Sequence, residues 1–198
     1  MAAARKGLSE KQARDILRSL YKMSLLEELS LYFSTCKADS RNNFPALSLE
    51  DEIQELPRLQ KVKFMLREYD SSSDRIILGM AEFFGKCCRL REMMFDVEDC
   101  RIASWEDLSR KLLESWRKLK HLQILQLNLR TKVEGNFGMI AMPVFVNWMR
   151  FFERMESLQD LFISKWYLEN EDEREINENL LIEGLTNPKY RFFKIYSL

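Results

Sequence analysis

The sequence predicts an α/β fold: a right-handed solenoid whose strands form a single parallel sheet, with the helices along its outer, convex side. Three observations predict it. A short apolar fragment returns six times at nearly constant spacing. Between its occurrences the hydrophobic period changes from two to that of a helix. The unit, about 32 residues long, has room for one strand, one loop and one helix.

The fragment begins as Leu26-x-x-Leu29-x-Leu31 and recurs as Leu59-x-x-Val62-x-Phe64, then Leu90-x-x-Met93-x-Phe95. It continues as Leu122-x-x-Leu125-x-Leu127, Leu158-x-x-Leu161-x-Ile163 and Tyr190-x-x-Phe193-x-Ile195. Successive starts are 33, 31, 32, 36 and 32 residues apart. The second and third anchors of each fragment lie two residues apart, which puts both on one face of a strand. Parallel strands returned by helices form right-handed crossovers, and units of this length stack each on the one before. Tetratricopeptide and ankyrin repeats have similar periods, but helix pairs leave a strand in every unit unexplained.

The helices follow in order. Ser9 and Gln12 cap a first helix with the stripe Ala13, Ile16, Leu17 and Leu20. Residues 1–24 are read as an N-terminal capping helix, and residues 25–198 as the solenoid of about six strand units. The segment from Leu49 to Leu59 is shorter, with Pro57 near its end. From Ser73 the stripe is Ile76, Ile77, Met80, Ala81, Phe83, Phe84 and Cys87. From Ser104 it is Trp105, Leu108, Leu112, Trp116 and Leu119, with Ser104 and Asp107 placed as in a capping box. Pro143 suits the first turn of the next helix, ahead of Phe145, Trp148, Met149, Phe152 and Met155. A last helix carries Ile176, Leu180, Leu181 and Leu185, and Asn187-Pro188 would stop it.

The fragment resembles the leucine-rich-repeat signature L-x-x-L-x-L, and the long helical units look like the ribonuclease-inhibitor-like branch of that family. The resemblance covers nearly the whole chain after about residue 24. Cys36 and Cys100, each five residues past a third anchor, loosely match the family's polar or cysteine position after the strand. The resemblance implies a curved solenoid whose strand-lined concave side binds proteins; it does not identify the ligand.

Composition narrows the function classes. Hydrophobic residues make up 46% and charged residues 31%, as in a soluble globular chain. Lys plus Arg and Asp plus Glu number 31 each. Without a basic excess to neutralise phosphates, nucleic acid is not expected as the main partner. No run approaches the roughly 18 apolar residues of a membrane span. Cys36, Cys87, Cys88 and Cys100 form no CxxC, and no secretory signal precedes them, so reduced buried thiols in a cytoplasmic setting are expected. The opening Met-Ala-Ala-Ala-Arg-Lys-Gly has some flavour of a mitochondrial presequence, although Glu10 and Asp15 follow; mitochondrial and nuclear locations stay open.

The residues alternating with the inward anchors define a candidate partner-binding face. They include Tyr32, Lys63, Met65, Met94, Asp96, Ile124, Gln126, Asn128, Phe162, Phe192 and Tyr196. Exposed aromatic and apolar groups among charges are characteristic of protein-binding surfaces. Catalytic and cofactor signatures are missing. His121 is the only histidine, there is no zinc-ligand spacing, and neither a P-loop nor G-x-G-x-x-G occurs. Gly135-Asn136-Phe137-Gly138 reads as a turn, the run Glu169 to Glu173 as a solvated loop without a calcium pattern, and Trp105, Trp116 and Trp148 as core, with Trp166 left unassigned. The chain is therefore expected to be a non-catalytic protein–protein interaction scaffold, adaptor or accessory subunit, with no cofactor or metal. Alternatives are a regulatory enzyme subunit with a small-molecule site near Gly135 to Gly138, or a fragment of a ubiquitin-ligase substrate receptor. Leu198 falls directly after the sixth fragment, so either a partner or a second copy covers that edge, or the chain is a piece of a longer protein.

Overall fold

The computed structural model describes residues 19–20, 22–34, 56–67, 74–133, 136–137, 142–164 and 192–196. They form a single sheet of seven strands with three helices. The strands are β1 (Glu28–Ser34), β2 (Lys61–Arg67), β3 (Glu92–Ile102), β4 (Ile124–Val133), β5 (Asn136–Phe137), β6 (Asp160–Ser164) and β7 (Phe192–Tyr196). The helices are α1 (Asp74–Lys86), α2 (Trp105–Trp116) and α3 (Met142–Arg154). Apart from β5, the strands pair in parallel in chain order, β1-β2-β3-β4-β6-β7.

The register aligns the repeat with itself. Leu29, Val62, Met93, Leu125, Leu161 and Phe193 are partners in one row across the sheet. Leu31, Phe64, Phe95, Leu127, Ile163 and Ile195 form the next. A slip of one residue would turn these anchors out to the opposite face, so the apolar period itself specifies the pairing. The turn before β1, β2, β3, β4 and β6 repeats as well. Met23, Cys87, Leu119 and Met155 each donate their backbone N–H to the carbonyl three residues earlier, and Leu26, Leu59, Leu90, Leu122 and Leu158 do the same one step later. The carbonyls of Glu27, Gln60, Arg91 and Gln123 then each accept two N–H groups from the following unit, at 2.7–3.0 Å. Backbone groups at the start of the sheet are satisfied by a cross-unit ladder.

The helices sit together on the anchor face, α1 against α2 and α2 against α3. Their apolar stripes meet the strands in a continuous aromatic spine. Phe64 lies 4.9 Å from Phe95, Phe95 lies 5.2 Å from Trp116, Trp116 lies 5.8 Å from Trp148, and Trp148 lies 5.5 Å from Phe152. Trp105, Trp116 and Trp148 are core residues, as expected, and the Trp148 indole donates to the Ser109 hydroxyl at 3.0 Å. At Gly85 the helices approach so closely that an added Cβ would lie 2.2 Å from the Ser115 carbonyl oxygen.

Local signals account for the helix boundaries. Ser104 adopts an extended backbone and its hydroxyl accepts from Asp107 N at 3.4 Å, capping α2. Ser104→Ala is expected to cost about 1 kcal/mol in urea denaturation; a loss nearer zero would show that the long bond contributes nothing. Asp74 opens α1 and accepts from Ala103 N at 3.1 and 3.3 Å, tying the helix to the end of β3. Partial burial outweighs that bond and holds its carboxyl above the usual carboxylate range. Pro143 is the second residue of α3, where its missing N–H costs nothing.

Several expectations need correction. Gly135 to Gly138 is not simply a turn: Asn136 and Phe137 form β5, antiparallel to the end of β4. Cys100 does not follow its strand but lies within β3, buried, with its thiol 3.4 Å from the Leu66 carbonyl. Cys87 is also buried, but Cys88 is exposed; these three are free thiols. Of the N-terminal capping helix only Ser19 and Leu20 are described, both helical. The helix over Ile176 to Leu185, the acidic run from Glu169 to Glu173, Trp166, Cys36, most of the Leu49 to Leu59 segment and Tyr190 lie outside the described residues. No helix among the described residues is long and apolar enough to cross a membrane.

Candidate protein-binding face

The second face of the sheet is set by the same alternation that builds the core. β2, with the sequence KVKFMLR, alternates between buried Val62, Phe64 and Leu66 and more accessible Lys61, Lys63, Met65 and Arg67. A parallel strand buried on both faces reads instead as a continuous apolar run. β3 repeats the pattern, with Met93, Phe95 and Val97 buried and Glu92, Met94, Asp96 and Glu98 half-buried.

Register converts the eleven sequence-predicted residues into rows. One runs Ser30, Lys63, Met94, Gln126, Phe162, Lys194; the next runs Tyr32, Met65, Asp96, Asn128, Ser164, Tyr196. Ile124 and Phe192 belong to a third row with Glu28, Lys61, Glu92 and Asp160. All eleven are therefore brought to one face, with Phe192 and Tyr196 placed by backbone register alone. Exposure is more uneven than expected. Tyr32 is 57% exposed and Lys63 is exposed, whereas Met65, Met94, Ile124 and Phe162 are half-buried. Neighbouring strands lie only about 4.8 Å apart, so long side chains in one row shield each other. A shallow cavity of about 150 Å³ lies among Lys61, Lys63, Glu92, Met94, Ile124 and Gln126.

Polar groups on the face are tied across strands. Asn128 donates to Asp96 at 2.7 Å. Lys61 pairs with Glu92 at 2.5 Å, and the hydrogen bond to that carboxylate raises the ammonium pKa above its usual value. Beyond these rows lies a cluster that the anchor spacing does not reveal. Arg67 reaches Asp96 at 3.6 Å and Glu98 at 3.3 Å, while Arg130 reaches Glu98 at 3.5 Å and Asp99 at 3.3 Å. Asp99 is the extra residue of a β-bulge: Glu98 pairs with Arg130 and Cys100 with Thr131, and Asp99 takes a φ of 55°. The bulge resets the alternation, so two successive carboxylates serve Arg130 and Cys100 resumes the buried position. The only signal in sequence was the acidic stretch Asp96 to Asp99 opposite arginines in neighbouring units. No cluster of three or more His, Cys, Asp or Glu side chains able to hold a metal ion occurs among the described residues. His121 is exposed in the turn before β4.

Compared with models of known protein families and with curated proteins, the sequence matches none.

Proposed function

We propose that the chain is a leucine-rich-repeat-like solenoid that acts without catalysis, as a protein–protein interaction scaffold, adaptor or accessory subunit. Its partner is recognised through the strand face opposite the helices. The solenoid reading is supported by the in-register anchors and by turns that repeat the same hydrogen bonds in successive units. The observation that carries the functional reading is a parallel sheet with all three described helices on one face. Its other face mixes Tyr32, Met65, Met94, Ile124 and Phe162 with fixed charges. Parallel sheets are commonly covered on both faces. Apolar anchors within a charged, cross-braced surround also match the usual layout of a recognition surface.

Affinity purification with lysine-reactive cross-linking tests this reading. Partner cross-links are expected at Lys63, exposed on the β2 part of the face, and not at Lys86 or Lys111 on the helices. Phe162→Asp combined with Met94→Asp is expected to abolish partner capture while the chain still folds, at a cost of about 1–3 kcal/mol for two half-buried positions. Cross-links confined to the helix lysines, or a double variant that unfolds, would remove the face from consideration.

A further inference from the structure

The turns leading into β2, β3 and β4 build a second feature that shares no residue with the proposed binding face. A concavity of about 360 Å³ opens where these strands begin, lined by Gln60, Arg89, Arg91, His121, Gln123 and Ser157. Its lining is a product of the repeat. Leu59, Leu90, Leu122 and Leu158 are at most 1% exposed, which turns the residues on either side of each leucine outward. Arg89, His121 and Ser157 each precede such a leucine in consecutive units; Gln60, Arg91 and Gln123 each follow one. The backbone beneath is held by the cross-unit ladder. The Gln60 carbonyl accepts from Arg91 N at 2.7 Å and Glu92 N at 2.9 Å, and the Arg91 carbonyl accepts from Gln123 N at 2.8 Å and Ile124 N at 3.0 Å.

Two arginines, a histidine, two glutamines and a serine therefore line one space, the Ser157 hydroxyl donating to the Lys120 carbonyl, and no carboxylate residue lines it among the described residues. Arg67 and Arg130, on the sheet face, are taken up by Asp96, Glu98 and Asp99. Arg89 and Arg91, both exposed, make no ion pair among the described residues.

We propose that this concavity is an anion site for a phosphomonoester dianion. Such a group carries close to two negative charges and three strong acceptor oxygens. It can engage both guanidinium forks at once and leave an oxygen for the carboxamides, whereas a single carboxylate answers only one fork. The volume falls at the lower end of the range for small-ligand pockets. A free phosphorylated small molecule and a phosphorylated side chain of a bound protein present the same group, so the test separates them.

Calorimetric titration of the full chain uses phenyl phosphate, a phosphoserine peptide and the same peptide unphosphorylated, at low and high salt. Saturable, salt-sensitive binding of the phosphorylated probes alone is expected, and Arg89→Gln with Arg91→Gln weakens it by roughly tenfold or more. The melting temperature stays unchanged, since both side chains are exposed; should the double variant fold poorly, Arg89→Gln alone carries the same comparison. A peptide bound at least roughly tenfold more tightly than phenyl phosphate assigns the site to protein-borne phosphate, and comparable affinities assign it to a free ligand. No saturation by either phosphorylated probe, equal binding of the unphosphorylated peptide, or undiminished binding by the variants overturns the proposal.

Discussion

Phe95→Ala is expected to cost about 3–5 kcal/mol, a large share of the roughly 5–15 kcal/mol that separates a typical folded domain from its unfolded chain. Phe95 is fully buried at the third anchor of β3, and its ring joins strand to helices: 4.9 Å from Phe64, 6.4 Å from Phe84 and 5.2 Å from Trp116. Truncation removes a large apolar side chain and leaves a cavity with rigid walls on three sides, because the neighbouring rings belong to separate elements. Urea denaturation measures the loss as a lower midpoint at unchanged slope. Phe95→Leu keeps most of the volume and loses the ring pairs, so about 1–2 kcal/mol is expected for it. If Phe95→Ala cost under about 1 kcal/mol, the spine would not be the main contact between sheet and helices.

Gly85→Ala is expected to destabilise the fold by about 2 kcal/mol, although helix propensity alone predicts a gain of about 1 kcal/mol. The two effects have opposite sign, which makes the measurement decisive. Gly85 lies in the last turns of α1, and the added methyl carbon would sit 2.2 Å from the Ser115 carbonyl oxygen of α2. A backbone atom cannot rotate aside as a side chain can, so the helices must separate and give up packing along their contact. Ser115 is itself anchored, its hydroxyl donating to the Lys111 carbonyl at 2.9 Å. A raised melting temperature for Gly85→Ala would mean that α1 and α2 are looser than this approach implies.

Much of this architecture is a local property of the chain. The six apolar fragments coincide with the six parallel strands, and their second and third anchors are register partners without a single slip. That was readable because both constraints are periodic: one face of a strand recurs every two residues, and one face of a helix every 3.6. Caps were readable for the same reason, since Ser104 acts on an amide three residues away. The candidate face followed from the anchors by alternation alone.

What needed the folded molecule is what depends on partners distant in sequence. Half-burial of Met65, Met94, Ile124 and Phe162 is imposed by neighbours about 32 residues away, and no local window contains them. The left-handed turn at Asp99 breaks the alternation from which side-chain direction is inferred, and only β4 alongside it brings Arg130 to both Glu98 and Asp99. Asn136 and Phe137 become a strand because the end of β4 offers unpaired backbone groups. The chain itself determines which residues face inward and how the units stack, because apolar burial follows its own periodicity. Convergence of charges from different units into an ion network or an anion pocket is decided in three dimensions, because Coulomb attraction and shared cavities depend on distance through space.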